Sequence, residues 1–303
     1  MSGALLRGLY VALLLWGHLA SAAPVTLTDA SGATVRLAAP AQRIVALAPH
    51  LVENLYTIGA GSRLVGAVDY ADYPPEAAAL PRVGGYSRID VEAVVARRPD
   101  LVVGWLSGNS PAHIDRLRAL GIPVFLSQPD RFEDVASELE QLGRLTGRNQ
   151  SAQAAASAFR TRLAHLRATH AGKPVVRVFY QVWATPLATV GGRQIISSAI
   201  ATCGGENVFA DLLPLAPQVS IEAVLAKNAE VFVAGGMGDA TRDPRRDWLD
   251  QWRRWPQLTA VQRDNLFVVP ADLLQRHTVR LLDGAEQLCA HLETARRRRP
   301  GGR

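Results

Sequence analysis

Several common catalytic signatures are missing from this sequence. It contains no G-x-S-x-G nucleophile motif and no H-E-x-x-H zinc motif. Gly59-Ala60-Gly61 lacks the third glycine of a dinucleotide loop and precedes a predicted strand, which is the wrong order for holding a pyrophosphate. The histidines beyond the N-terminal segment do not have the spacing of metal ligands; they are His50, His113, His165, His170, His277 and His291. These absences favour a protein that is not an enzyme and that carries neither a cofactor nor a metal.

The apolar run near the N-terminus is too short to cross a membrane, which takes about 20 residues. Residues 1–23 carry one arginine, an apolar stretch and the small residues Ala20-Ser21-Ala22. This pattern predicts a cleaved secretory signal peptide, and a retained membrane anchor is the alternative. No cysteine follows the run, which excludes a lipid attached to a new N-terminal cysteine. We expect a soluble mature protein in the periplasm.

Cysteine is scarce, because Cys203 and Cys289 are the only two in the chain. In an oxidising compartment such a pair is more often bridged than free, and free thiols remain the alternative. A bridge would connect the second half of the chain to its last predicted helix.

A net positive charge is also lacking from the body of the protein, although the net charge of the whole chain is +6. Arg7 and five arginines near the C-terminus, Arg296 to Arg299 and Arg303, account for all of it. This distribution argues against a nucleic-acid surface on the folded part. Residues 296–303 are expected to form a basic, disordered tail.

One pattern is present twice. Residues 89–104 read IDVEAVVARRPDLVVG and residues 219–235 read VSIEAVLAKNAEVFVAG. In each copy a capping residue, Asp90 or Ser220, starts a short amphipathic helix that a buried strand follows. Glu92 and Glu222 occupy the same place in the two copies. Each could simply complement the helix dipole, worth roughly 0.3–1 kcal/mol, but a matched pair suggests a two-pronged contact with a partner.

Alternating strands and helices predict an α/β fold of two Rossmann-like lobes, each a mainly parallel sheet flanked by helices. One long rigid helix is expected to join them, and a surface helix of one lobe is the alternative. The predicted boundaries are listed in chain order: signal peptide 1–23, N-terminal lobe 24–148, linking helix 149–172, C-terminal lobe 173–295 and basic tail 296–303.

Aromatic and polar residues follow the predicted strands at their C-terminal ends. They are Tyr70, Tyr73, Tyr86 and Trp105 in the first lobe, and Tyr180, Trp183, Asp272 and Arg276 in the second. Ligands of open α/β sheets bind at this edge, although ordinary core or hairpin packing is the alternative for each ring. Aromatic walls with a few polar anchors suit a large, flat ligand held between the lobes.

Several motifs resemble those of a known family. They are Asp69-Tyr70-Ala71-Asp72-Tyr73-Pro74-Pro75, the two repeat copies, Cys203-Gly204-Gly205-Glu206-Asn207-Val208-Phe209 with Ala216-Pro217-Gln218-Val219-Ser220, and the final helix ending in Leu288-Cys289. Together they are similar to the periplasmic cobalamin-binding proteins of vitamin importers, which are substrate-binding proteins with a helical backbone between two lobes. The similarity runs from about Arg43 to Leu292; haem and siderophore binders share only the general lobe pattern.

This resemblance implies a role for individual residues. Cys203 and Cys289 would form a disulfide, and Glu92 and Glu222 would dock on arginine pockets of the permease. Tyr70, Tyr86, Trp105, Asp272 and Arg276 match ligand-contacting positions, with Tyr86 in place of a tryptophan. Ala188 and Ala216 stand where large rings are expected, and Trp183 or Leu187 would compensate for the first.

The expected function is therefore capture of cobalamin or a related corrinoid, and its delivery to an ATP-binding-cassette importer. The expected partners are the corrinoid and a membrane permease dimer with its ATPase subunits, and the protein itself is expected to be a monomer. A haem or siderophore carrier is the alternative within the fold, because Tyr70 or Tyr86 could bind iron through the phenolate. A secreted α/β enzyme is the alternative from another class.

Overall fold

The chain forms two parallel sheets and two separate hairpins in the computed structural model, which describes residues 23–236 and 246–301. Residues 1–22 of the predicted signal peptide lie outside these residues. In the N-terminal hairpin, β1 (Val25–Thr28) pairs with β2 (Thr34–Leu37) in antiparallel fashion. The alternating sequence and the turn at Ser31-Gly32 favour such a hairpin. In the described part of the chain, no helix has both the length and the apolar character needed to cross a membrane.

The first four-stranded sheet has the strand order β4-β3-β5-β6, with all pairs parallel. The elements of this lobe are β1 (Val25–Thr28), β2 (Thr34–Leu37), β3 (Ile44–Ala46), α1 (Pro49–Thr57), a 3-10 turn (Gly61–Arg63), β4 (Leu64–Ala67), a second 3-10 turn (Pro75–Ala79), α2 (Val91–Ala96), β5 (Leu101–Trp105), α3 (Pro111–Ala119), β6 (Val124–Ser127) and α4 (Phe132–Thr146).

The second four-stranded sheet has the order β10-β7-β11-β12 and is also parallel. After the long helix α5 (Asn149–His170), its elements are β7 (Val176–Gln181), β8 (Trp183–Ala184), β9 (Leu187–Ala188), α6 (Ile195–Thr202), β10 (Gly205–Asn207), α7 (Ile221–Lys227), β11 (Val231–Gly236), α8 (Arg246–Asp250), a 3-10 turn (Gln251–Arg254), α9 (Thr259–Gln262), β12 (Leu266–Pro270), α10 (Ala271–Leu274) and α11 (Leu281–Arg297).

The two sheets have the same topology. When the four strands of each parallel sheet are numbered in chain order, leaving out the hairpins, both sheets have the order 2-1-3-4. Helices α2 and α7 each lead into the third strand, and their caps form as the repeated sequence predicts. The Asp90 carboxylate accepts a hydrogen bond from the Ala93 N–H at 2.9 Å, and the Ser220 hydroxyl accepts one from the Ala223 N–H at 3.1 Å. The prediction of two related α/β lobes with mainly parallel sheets is confirmed.

Both faces of each sheet are covered by buried apolar side chains, as in other parallel sheets. Alternate residues of a strand enter different clusters: Ile44 belongs to the large cluster that includes α4 and α5, whereas Val45 belongs to the cluster on the opposite face. The large cluster also contains Val178 of the second sheet. The lobes therefore share part of one core.

Helix α5 lies between the lobes in sequence and contacts both of them. Its Arg160 pairs with Glu140 of α4 at 2.5 Å, and its Arg162 pairs with Asp283 of α11 at 2.6 Å. Phe159 and Leu163, four residues apart on the same helix face, are both buried. These contacts agree with a stiff link, and the exact lobe boundaries given above stay a prediction.

The C-terminal arginines correct one expectation. The predicted disordered tail begins at residue 296, but α11 continues to Arg297. Arg296 donates to the carbonyl oxygens of Pro174 and Cys203 at 2.8 and 2.9 Å, and Arg299 pairs with Glu230 at 2.8 Å. The prediction of disorder used only the local composition, a run of arginines. In the structure, these side chains bind backbone carbonyls and a carboxylate that are distant in sequence. Residues 302 and 303 lie outside the described residues.

Cys203 and Cys289 are joined by a disulfide with their Cα atoms 4.8 Å apart. The bond connects the end of α6 to the middle of α11, and both cysteines are buried. It therefore links two helices of the second lobe.

Candidate functional site

The first lobe contributes an aromatic wall at the C-terminal ends of its strands. Tyr70 follows β4 with φ of 62° and is 76% exposed, and Tyr86 is 45% exposed. The rings of Tyr86 and Trp105 lie 6.2 Å apart. Buried Asn109 holds this wall in place. Its side-chain amide donates hydrogen bonds to the backbone carbonyls of Tyr86 and Leu47, and its Oδ1 accepts one from the backbone N–H of Trp105 at 2.7 Å.

The second lobe contributes the small hairpin of β8 and β9. Trp183 stands directly opposite Ala188 in this hairpin and is 52% exposed. Its indole N–H donates to the Thr185 carbonyl at 3.0 Å, and its ring lies 5.7 Å from that of Trp248. Leu187 instead packs against the core of the second lobe. Trp183 is thus the better placed of the two residues to replace a ring at Ala188.

Arg276 connects the two lobes beside the exposed Tyr70. Its Nη1 lies 2.8 Å from Oδ1 of Asp72, and its Nη2 donates to the Tyr70 carbonyl at 3.2 Å. Within its own lobe, Nε lies 3.1 Å from Oδ1 of Asp272. The arginine side chain is only 12% exposed, whereas both aspartates are more than half exposed. We call Arg276, Asp72 and Asp272 the mouth bridge.

A second, buried connection lies between α1 and the start of α11. Arg280 makes two 2.7 Å hydrogen bonds to the Glu53 carboxylate, which is 1% exposed. The Asn54 amide donates to the His277 carbonyl at 2.9 Å and to Glu138 Oε1 at 2.6 Å. The lobes therefore meet through polar groups that are removed from water.

Glu138 of α4 is fully buried beside this connection. Burial raises its pKa to about 7, although hydrogen bonds from Ser127 and Asn54 act in the opposite direction. A carboxyl group in such surroundings changes its charge near neutral pH. Its protonation is therefore coupled to the contact that Asn54 makes with the second lobe.

Two histidines meet beneath the mouth bridge. The rings of His50 and His277 lie 5.1 Å apart, and that of Trp105 lies 5.6 Å from His50 and 5.7 Å from His277. Burial, His277 and Arg276 hold the pKa of His50 well below its usual value. Burial lowers the pKa of His277 to about 4, against an opposing effect of Asp130. Both imidazoles are therefore neutral at neutral pH.

Sequence reasoning gave neither of these histidines a role. The signal available was position, because His50 is the second residue of α1, just after β3, and His277 follows Arg276 directly. The described residues contain no group of three or more histidine, cysteine, aspartate or glutamate side chains that could hold a metal ion.

Glu92 and Glu222 are exposed in the first turns of α2 and α7. Hydrogen bonds from its own backbone N–H and from the Ser220 hydroxyl lower the pKa of Glu222. Both carboxylates are thus presented to solvent from equivalent helices of the two lobes.

The structure brings most of the predicted cleft residues together. Tyr86 contacts Trp105, and Arg276 contacts both the Tyr70 backbone and Asp272. Trp183 lies in its own hairpin against Trp248. Ala216 is exposed, in the loop that precedes α7.

Comparisons with known proteins agree with this architecture. A family model described as periplasmic binding protein matches residues 44–273. The vitamin B12-binding protein of Vibrio cholerae is 38% identical over 259 residues, which is 85% of this chain and 91% of that protein. The crystal structure of the periplasmic vitamin B12 binding protein BtuF of Vibrio cholerae superposes with a TM-score of 0.76, at 38% identity, and covers 84% of this chain and 98% of that one.

A haem-binding relative shares the same fold. The periplasmic heme-binding protein RhuT from Roseiflexus sp. RS-1 has a TM-score of 0.73 at 22% identity, covering 84% of this chain and 99% of that one. At that identity, the likeness concerns the fold alone.

Proposed function

The chain belongs to the periplasmic binding protein family, and we propose that it captures cobalamin or a related corrinoid between its lobes and delivers it to an ATP-binding-cassette importer. The observation that carries this proposal is the identity with a vitamin B12-binding protein over most of both chains. The aromatic wall supports it, because a corrin is a large ring that stacking side chains can hold.

Ligand capture would use both lobes. Tyr70, Tyr86 and Trp105 pack on the corrin from the first lobe, and Trp183 adds a ring from the second. When the ligand binds, Arg276 gives up its contacts with Asp72 and the Tyr70 carbonyl and donates hydrogen bonds to the amide side chains of the ligand instead. Asp272 positions Arg276 for this exchange, since it holds Nε from within the same lobe.

Delivery would use the two exposed carboxylates. Glu92 and Glu222 dock on arginine pockets of a membrane permease dimer, one from each lobe, while ATPase subunits drive release. Two equivalent helices that present carboxylates at their N-terminal turns support this assignment. The protein acts as a monomeric periplasmic carrier without catalytic activity, exported by residues 1–23.

A calorimetric titration of the mature protein tests the proposal, with cyanocobalamin, dicyanocobinamide and haemin as parallel ligands. One-to-one binding of cyanocobalamin is the expected result. Binding of dicyanocobinamide alone would assign a different corrinoid, as the small side chains Ala188 and Ala216 would allow. Binding of haemin alone would refute the corrinoid assignment and point to the exposed phenols of Tyr70 and Tyr86.

A further inference from the structure

Buried polar atoms without partners are concentrated at one place where the two lobes meet. Across residues 23–236 and 246–301, six buried side-chain nitrogen or oxygen atoms have no hydrogen-bond partner. Four of them belong to neighbouring residues: His50 Nε2, Asn54 Oδ1, Trp105 Nε1 and His277 Nδ1. Each such group costs roughly 1–3 kcal/mol, so a cluster of four requires a physical reason. We call these four residues the floor cluster.

The floor cluster lies at the junction of the lobes. His50 and Asn54 are four residues apart in α1 and therefore share one helix face. Trp105 ends β5, and His277 lies between α10 and α11 of the second lobe. In sequence, His277 lies between Arg276 of the mouth bridge and Arg280, the partner of Glu53. A ligand held by Arg276 between the lobes would therefore lie close to this cluster.

We propose that the floor cluster is a carboxamide-binding subsite that recognises the amide side chains on the edge of a corrin. This inference rests on the proposed function and deepens it. A flat ligand in a cleft turns its faces to the two walls and its edge to the floor. The walls carry aromatic rings, whereas the floor carries hydrogen-bonding atoms without partners. The edge of a corrin carries carboxamides, each of which both donates and accepts hydrogen bonds.

The chemistry of the cluster matches an amide better than a carboxylate. The Trp105 indole can only donate, the Asn54 oxygen can only accept, and a neutral imidazole nitrogen does either according to its tautomer. Burial keeps both histidines neutral, so they provide no positive charge for the propionates of a haem. A carboxylate would be left desolvated beside the Asn54 oxygen, which is costly.

The charged groups near the histidine pair are bound to residues other than the two histidines. Arg276 is engaged with two aspartates at the mouth, and Asp130 pairs with Arg193 at 3.1 Å. Glu138 accepts a hydrogen bond from the Asn54 amide nitrogen, not from one of the unpartnered atoms. The unpartnered atoms of the floor are thus neutral groups.

The test compares two corrinoids that differ only around the edge. Dicyanocobinamide carries amides, and dicyanocobyrinic acid carries carboxylic acids in their place. Calorimetric titration of the mature protein at neutral pH should show at least about tenfold tighter binding of dicyanocobinamide, the effect of one or two buried hydrogen bonds. Equal affinity in the wild-type protein would overturn the inference without any variant.

A double variant, His50→Leu with His277→Leu, removes the imidazole nitrogens while keeping apolar volume. It should reduce the preference for the amide ligand to about threefold or less. His113→Leu is the matched control, because His113 also has a buried, unpartnered nitrogen but lies in α3. A preference unchanged in the double variant would show that the pair is only structural. If wild-type protein binds haemin and neither corrinoid, the proposed function itself fails, which is a different result from lost discrimination.

Discussion

Arg276 Nη1 lies 2.8 Å from Asp72 Oδ1 across the mouth of the cleft, so the arginine proposed to hold the ligand already has a partner in the other lobe. Ligand binding at Arg276 must therefore compete with an ion pair. Asp72 is more than half exposed, so water screens the pair, and solvent-exposed ion pairs are worth about 0.2–1 kcal/mol; the competition is therefore modest.

We expect Asp72→Ala to strengthen corrinoid binding by roughly two- to fivefold, because Arg276 no longer has to exchange a carboxylate for the ligand. Arg276→Ala should weaken binding by about tenfold or more, since it removes the group that contacts the amides. Calorimetric titration with cyanocobalamin measures both. Arg193→Ala is the control, because it removes another ion pair between the lobes, with Asp130. Weaker binding by Asp72→Ala would mean that Asp72 itself contacts the ligand.

Charge reversal at the docking carboxylates should separate transport from capture. Glu92→Arg or Glu222→Arg is expected to reduce uptake at least about tenfold, because like charges then face the arginine pockets of the permease. The affinity for cyanocobalamin should not change, since both residues are exposed on helices outside the cleft contacts. Uptake of labelled cyanocobalamin by cells, compared with calorimetry on the purified variant, gives both values.

Glu206→Arg supplies the same change of charge on an exposed residue of the edge strand β10. It should leave uptake near the wild-type level. A loss of ligand affinity in Glu92→Arg or Glu222→Arg would contradict the division between docking and binding.

Local patterns in the sequence predicted the main elements of the two lobes, and they also indicate the sheet edge that we propose carries the site. The caps at Asp90 and Ser220 depend on residues three positions away, and Trp105 follows its strand directly. Such features are visible in a short window of sequence. The position of the cleft then follows from the rule that ligands bind at the carboxyl ends of parallel strands.

Contacts between distant segments could not be predicted in this way. Glu53 and Arg280 are 227 positions apart, and the His50 and His277 pair depends on the same packing of one lobe against the other. No spacing in the sequence signals that two such histidines will touch. The C-terminal arginines were predicted to be disordered for the same reason. Arg299 is held by Glu230, which lies 69 positions earlier and could not be recognised as its partner from the sequence.

The disulfide should contribute measurably to stability. Cys203 and Cys289 are separated by 86 positions, and closing a loop of that size stabilises a protein by roughly 2–5 kcal/mol. We expect Cys203→Ala with Cys289→Ala to lower the free energy of unfolding by this amount in urea denaturation. Dithiothreitol should lower the stability of the wild-type protein and leave the double variant unaffected. If the reductant shifts both unfolding curves equally, the effect does not come from this bond.

Glu138 should make stability depend on pH near neutrality. Its pKa is about 7 in the folded protein against 4.5 for an ordinary glutamate, so between these values the folded state holds a proton that the unfolded state has released. The stabilising contribution is therefore fully present below pH 4.5 and is lost as the pH rises through 7. The loss is on the order of 3 kcal/mol. Glu138→Gln cannot titrate and should lack this slope.

Urea unfolding of wild-type protein and Glu138→Gln from pH 4.5 to 8 measures the difference. The two histidines titrate in both proteins and cancel in the comparison. Glu140→Gln on the same helix is the control, because a hydrogen bond from Arg160 lowers the pKa of Glu140 and its contribution is lost as the pH falls. Because that loss occurs near and below pH 4.5, the Glu140→Gln difference should stay nearly constant over the measured range, whereas the Glu138→Gln difference changes. A Glu138→Gln curve parallel to that of the wild-type protein would mean that Glu138 stays ionised in the folded state, with the hydrogen bonds from Asn54 and Ser127 outweighing its burial.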